Sequence, residues 1–172
     1  MRVGIIGAGS IAVAAHIPGY QKLPDVEVVA ISDIDAGQAR EVAQKFGITR
    51  VFNDYHRLLE MKLDAVSVCT PTYLHAEAAI AALEAGSHVL CEKPMALNAA
   101  QAEQVISVAK RSGKILMMAF NNRFREDTQA LKRMIEAGAL GEIYFARAGW
   151  LRRRGIPGRG GWFTTKAMAG GG

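Results

Sequence analysis

Residues 1–12, MRVGIIGAGSIA, decide how the chain is read. Arg2 to Ile6 is a short apolar run with β-branched side chains, the composition of a buried strand. Gly7, Gly9 and Ala12 follow in the order G-x-G-x-x-A, and a helical run begins near Ser10. Strand, tight glycine turn and helix in succession grip a dinucleotide pyrophosphate. Gly7 allows the turn, Gly9 has no side chain to keep the phosphate off the backbone, and the small Ala12 lets the helix sit close to the strand. Free N–H groups and the dipole at the helix start then face the negative charge. Gly7, Gly9, Ser10 and Ile11 are the expected cofactor loop. A glycine turn of purely structural purpose carries the same local signature.

The rest of the chain repeats strand and helix. A helix is expected from about Ser10 to Gln21, interrupted near Pro18. Val26 to Ser32 reads as the second strand, with Asp33 directly at its end. In a dinucleotide fold that position faces the adenine ribose, whose hydroxyls a carboxylate accepts. The extra phosphate of NADP would meet the same charge, so NAD is expected over NADP: two unit charges ~4 Å apart at an effective dielectric of ~20 repel by about 4 kcal/mol. The alternative for Asp33 is a helix N-cap, although Asp35 is better placed to cap. A helix over Ala36 to Phe46 ends at Gly47. Further strands are expected at Val51–Phe52, Ala65–Cys69, His88–Cys91 and Ile115–Ala119, and further helices at Tyr55–Met61, Tyr73–Ala85 and Ala99–Arg111. Short links between alternating strands and helices predict an α/β fold, a Rossmann-type doubly wound parallel sheet covered on both faces. Ligands in such folds lie beyond the carboxyl ends of the strands. Gly7, Asp33, Thr70, Glu92, Lys93 and Asn121 all fall just past a strand end. Beyond them, Arg125 to Ala137 reads as a helix and Ile143 to Trp150 as a strand in need of partners.

Charge excludes one class of function. The formal net charge is +5, but residues 151–172 hold Arg152, Arg153, Arg154, Arg159 and Lys166 and no acid. Residues 1–150 therefore carry sixteen basic and sixteen acidic residues. A nucleic-acid face spreads along a folded surface with aromatics between its charges, so no nucleic-acid partner is expected. The tail is a solvated loop or one that meets an anionic ligand. No run of ~18 uncharged apolar residues spans a membrane. The first strand starts at once, so no cleavable leader is expected. Cys69 and Cys91 are expected as buried thiols in a reducing, cytoplasmic compartment. No Cys/His spacing suggests a metal site. His16 reads as a capped or exposed helix residue and is not placed in the site.

GxGxxA, the strand-end Asp33, VCTPTYLHAEAAIAALEAGSHVLCEKP, NNRF and GGWFTTKAMAGGG occur in an order that resembles the Gfo/Idh/MocA oxidoreductases, the glucose–fructose oxidoreductase and inositol dehydrogenase family. The resemblance covers the whole chain, and the Glu92-Lys93-Pro94 segment is its most specific part. It implies an NAD-dependent dehydrogenase that moves a hydride between the nicotinamide and a sugar, polyol or related hydroxyl. Lys93 would be the active-site lysine, with a cis bond to Pro94; the alternative is a surface lysine. Thr70, Pro71, Thr72, His75 and Glu92 would line the cofactor, although His75 is equally a polar residue on a first helical turn. Asn121 and Arg123 would close over cofactor and substrate, unless Arg123 pairs with a surface acid. Trp162 would reach the nicotinamide side, unless it is a core residue. The expected organisation is a nucleotide-binding domain over 1–120 and, over 121–172, the start of a truncated α+β second domain that holds substrate and makes homo-oligomer contacts. Such enzymes continue into a segment with an Asp and a His, the His being the expected general base; the alternative reading is a non-catalytic, dinucleotide-binding fragment that lacks it.

Overall fold

The structure, a computed structural model, describes residues 1–151, 153 and 161–170. Arg152, Arg154 and Arg159 of the basic tail lie outside the described residues. The chain divides into two compact units, Met1–Ala119 with Arg159–Gly172, and Phe120–Gly158. The segment expected as one piece, 121–172, is thus split between them.

The first unit holds β1 (Arg2–Ile6), β2 (Glu27–Ser32), β3 (Arg50–Phe52), β4 (Ala65–Val68), β5 (His88–Cys91) and β6 (Leu116–Met118). They form one sheet in the order β3-β2-β1-β4-β5-β6, every neighbouring pair parallel. This is the doubly wound arrangement expected from the alternation of elements, with the order reversing between β1 and β4.

Side chains alternate across the strands, and so two cores form. Val3, Ile5, Val28 and Ile31 pack on one face with Ala12, Ile17 and Ala39. Ile6, Val66, Val68 and Val89 pack on the other with Leu58, Leu83 and Val105. The helices that cover these faces are α1 (Ile17–Gln21), α2 (Ala36–Phe46), α3 (Tyr55–Leu59), α4 (His75–Glu84) and α5 (Ala99–Ser112). Their ends follow local chemistry. Asp35 caps α2 by accepting from the Gly37 and Gln38 N–H groups, and Asn98 caps α5 by accepting from the Gln101 N–H.

The expected break near Pro18 takes a different form. The helical path runs from Ser10 to Gln21 without interruption. Its irregularity is a π-helical turn, Ala12–His16, closed by the Ile17 N–H on the Ala12 carbonyl. Pro18 brings no N–H to the ladder, and the wider turn just ahead of it accommodates that loss.

The second unit contains a 3₁₀ turn, Asn121–Phe124, and α6 (Glu126–Glu136). The strand expected over Ile143 to Trp150 does not form; those residues have no regular secondary structure. Strand propensity describes fit to a half-buried sheet, and Tyr144 is 96% exposed with no ladder partner to supply one. Among the described residues, no helix is long and apolar enough to cross a membrane.

Candidate functional site

Register places the candidate residues on one edge of the sheet. Ile6 pairs with both Ser32 and Val68, Val68 pairs with Cys91, and Cys91 pairs with Met118. Gly7, Asp33, Cys69–Thr70 and Glu92–Lys93 are therefore the next residues along neighbouring strand ends.

Gly7 sits at φ 99°, a backbone that side chains rarely adopt, and donates its N–H to the Ser32 carbonyl at 2.7 Å. A Cβ at Gly7 would lie 2.6 Å from the Cys69 carbonyl oxygen and 2.9 Å from the Thr70 nitrogen. Glycine is thus the residue that lets the turn press against the end of β4. Gly9 has the opposite surroundings, with nothing within 4 Å of where a Cβ would be. Ser10 and Ile11 begin the helical run and are exposed, and the first N–H groups of a helix have no partner within it.

Asp33 is held by the backbone around it. One carboxylate oxygen accepts from the Ala8 N–H at 2.7 Å and the other from the Asp35 N–H at 2.9 Å. Gln38 reinforces the same loop by donating to the Ala8 carbonyl at 2.9 Å. Capping of α2 falls to Asp35, so the capping alternative for Asp33 is not what the fold uses. Each carboxylate oxygen has further acceptor capacity, and Asp33 remains half-exposed.

At the end of β4, the Thr70 hydroxyl is enclosed and has no hydrogen-bond partner. Pro71 is half-buried and Thr72 buried, in the 3₁₀ turn Thr72–Leu74 that leads into α4. His75 opens α4 beside that turn. It is 1% exposed, and its ring nitrogens lie 2.6 Å from the Pro94 carbonyl and 2.8 Å from the Thr70 carbonyl. The ring thus sits between the backbone carbonyls of the β4 and β5 loops.

Past β5, Glu92 is half-buried and Lys93 exposed, and the Lys93–Pro94 bond is cis, as the resemblance implies. Glu92 accepts from the Lys93 N–H at 3.2 Å and meets His16 Nε2 at 3.0 Å. His16 Nδ1 lies 3.1 Å from the Ser67 hydroxyl, which lies 2.9 Å from the Tyr20 hydroxyl. His16 is 8% exposed, neither capped nor at the surface as its sequence position suggested. Burial works against the Glu92 charge, but the His16 hydrogen bond and charge, with the Lys93 N–H and ammonium, outweigh it and hold the carboxyl below its usual range. Burial first, and then the Glu92 charge, push the Cys69 thiol well up and the Cys91 thiol to about 12. Both cysteines are free and buried, and their thiols stay neutral.

The remaining candidates lie on other segments. Asn121 and Arg123 belong to the second unit. There the Arg123 guanidinium lies over the Phe120 ring at 5.4 Å, and it is Arg125, rather than Arg123, that pairs with an acid, Asp127. Trp162 is half-buried, its ring edge-on to Phe163 at 5.3 Å. In the same tail, α7 (Lys166–Ala169) packs against the Thr72–Leu74 turn, and Gly170 abuts the Leu97 backbone. The described part of the tail thus returns to the loop that follows β4.

These features suit a dinucleotide. There is open space over Gly9, a glycine where a Cβ could not fit, a fixed carboxylate at the end of β2 and an enclosed hydroxyl without a partner at the end of β4.

The chain was compared with known proteins. A family profile described as GFO_IDH_MocA, oxidoreductase family, NAD-binding Rossmann fold, matches residues 1–120. D-glucoside 3-dehydrogenase of Escherichia coli K12 is 45% identical over 173 residues, covering 100% of this chain and 49% of that protein. The 3-ketoreductase KijD10 of Actinomadura kijaniata, solved with TDP-benzene and NADP, is 38% identical with a TM-score of 0.75, over 83% of this chain and 45% of that one. The WlbA dehydrogenase of Bordetella pertussis, solved with NADH and UDP-GlcNAcA, is 31% identical with a TM-score of 0.78, over 83% and 44%. The chain spans about half the length of the curated relatives it matches.

Proposed function

We infer the function from a fixed premise: the chain belongs to the Gfo/Idh/MocA oxidoreductase family, whose nucleotide-binding fold is the NAD-binding Rossmann fold. The whole protein is an NAD-dependent dehydrogenase that transfers a hydride between the nicotinamide and a carbon bearing a hydroxyl on a sugar, polyol or sugar derivative. Residues 1–120 form the nucleotide-binding domain, and residues from 121 open the domain that meets substrate. The names of the relatives support this substrate class: a D-glucoside 3-dehydrogenase, a myo-inositol 2-dehydrogenase and a dehydrogenase solved with UDP-GlcNAcA.

The observation that carries the reading is the convergence of Gly7, Asp33, Thr70 and Glu92–Lys93 on adjoining strand ends at the reversal of strand order. Gly7 and Gly9 admit the pyrophosphate, which the N–H groups of Ser10 and Ile11 bind. Asp33 accepts the adenine ribose hydroxyls and disfavours a 2′-phosphate. Pro71 and Thr72 shape the wall above Thr70, whose hydroxyl gains a partner there. Bound NAD supplies the hydride acceptor. The Lys93 ammonium donates to the substrate oxygen and stabilises the negative charge that grows on it as the adjacent carbon is oxidised. Trp162 completes the wall on the nicotinamide side. The second unit supports association with further copies of the chain in the whole protein.

The test is titration of the 172-residue chain with NADH and NADPH, followed by nucleotide fluorescence and tryptophan quenching. Saturable binding with NADH preferred is the expected result. No binding of either nucleotide overturns the reading, and equal binding of both overturns the NAD preference.

A further inference from the structure

The network around His16 has no role assigned in the binding just described, yet His16 and Ser67 are buried and hydrogen-bonded. His16 comes from the π-helical turn that follows the glycine loop, Ser67 from the middle of β4, and Glu92 from the loop after β5. They are 51 and 76 residues from His16 in sequence. On β4, Val66 and Val68 face one core, so Ser67 points to the opposite side, where the helical run lies. His16 and Tyr20 are four apart on that run, hence on one face of it, and both reach the Ser67 hydroxyl.

We propose that His16 is a positioning residue for Lys93, a reading that rests on the dehydrogenase function above. The direction of the His16–Glu92 hydrogen bond follows from donor chemistry. An ionised Glu92 carboxylate only accepts, so the 3.0 Å contact requires a proton on His16 Nε2. His16 Nδ1 meets the Ser67 hydroxyl, and Ser67 in turn meets the Tyr20 hydroxyl. Tyr20, Ser67, His16 and Glu92 thus form one hydrogen-bonded chain. The second Glu92 oxygen receives the Lys93 backbone N–H. The Glu92 carboxylate is thus clamped from both sides, and the turn carrying Lys93 is fixed to the helical run that begins at the cofactor loop. Ser67 is fully buried and has Tyr20 above it. That removes a nucleophilic role for the serine and leaves orientation of the ring as its function. Glu92 contributes through its carboxylate, as the link between His16 and the Lys93 backbone.

The experiment uses the full 172-residue chain and needs no turnover. Long-range ¹H–¹⁵N spectra of the histidine rings at neutral pH are expected to show His16 protonated at Nε2; an Nε2 without its hydrogen overturns the proposal. Two variants of similar size then separate the contacts. His16→Gln keeps a donor near the position of Nε2, and His16→Asn keeps only the reach of Nδ1 toward Ser67. Hydrogen exchange of the Lys93 amide is expected to accelerate about tenfold or more in His16→Asn and to stay within about threefold of the parent in His16→Gln. Equal exchange in the two variants overturns the proposal, whether both match the parent or both are fast. If His16→Asn does not fold, the spectrum of the parent chain and the exchange of His16→Gln decide the matter. NADH titration of the parent chain is read separately. Parent binding with the wrong histidine tautomer sinks the positioning role alone, and a parent chain that binds no NADH sinks the functional reading beneath it.

Discussion

The Asp33 carboxylate accepts the Ala8 N–H at 2.7 Å, so the acid at the end of β2 holds the glycine loop at the end of β1. The same side chain therefore has a structural duty and a proposed ligand duty, and its variants should show both. Asp33→Asn retains one acceptor oxygen but loses the charge. It is expected to bring NADPH affinity closer to that of NADH, by up to about a thousandfold if the full ~4 kcal/mol repulsion applies. Asp33→Ala also loses the brace on Ala8, and the orphaned N–H should lower stability by about 1–3 kcal/mol. Parallel nucleotide titrations and urea melts check both effects. An unchanged NADH/NADPH ratio in both variants rejects the ribose contact.

Gly7→Ala should be among the most damaging small substitutions in the chain. The added carbon would be placed 2.6 Å from the Cys69 carbonyl oxygen while the backbone sits at φ 99°. Strain of this kind costs roughly 1–3 kcal/mol before any shift of β4 is counted. Gly9→Ala meets nothing within 4 Å and should leave the melting midpoint almost unchanged while weakening NADH. Equal stability losses in the two variants would show that the loop is not packed as described.

In the whole protein, Lys93→Met should lower kcat by about a hundredfold or more, the usual cost of losing one donor to a developing oxyanion. NADH affinity should move far less, because the methionine keeps the apolar stem and removes only the ammonium. Steady-state kinetics with a polyol panel, set beside equilibrium NADH titration, provides the check. Matching losses in the two quantities would make Lys93 a binding residue.

Glu92 gives a pH dependence whose sign is fixed. Despite burial, its carboxyl is held below the ordinary value of 4.5 by His16 and Lys93. The folded chain therefore releases this proton more readily than the unfolded chain does. The resulting stabilisation is fully present above about pH 4.5 and is lost as pH falls through the lower, folded value. Urea midpoints between pH 6 and 3 should fall more steeply for the parent than for Glu92→Gln. Parallel curves would mean that the carboxylate has no net favourable partner.

Much of this arrangement could be read in one dimension. Strand ends are punctuated by Gly7, Asp33, Thr70 and Glu92, and alternating apolar runs with short links leave few topologies besides a parallel sheet. Asp35 was legible as a cap because its neighbours already spell a helix start. His16 was not, since its partners Ser67 and Glu92 come from strands far away in sequence, and a helix position near a loop says nothing about which side faces the sheet. For His75 the sequence leaves two readings, cofactor wall or polar first-turn residue, and its neighbours are carbonyls that no side-chain pattern reveals. The strand expected at Ile143–Trp150 failed for a related reason: an apolar run states a willingness to pair, and pairing also needs a neighbour.

Pairing of β1 with β4 joins Val3 to Ala65 across more than sixty residues of chain. A nascent chain leaving the ribosome can match β1 to β2 early, but the other edge of β1 stays open until residues 65–68 emerge. Such long-range parallel pairing is slow to form and leaves an unpaired edge exposed meanwhile. The vulnerable moment in the life of this protein is therefore during its synthesis, before the sheet has closed on both sides of β1.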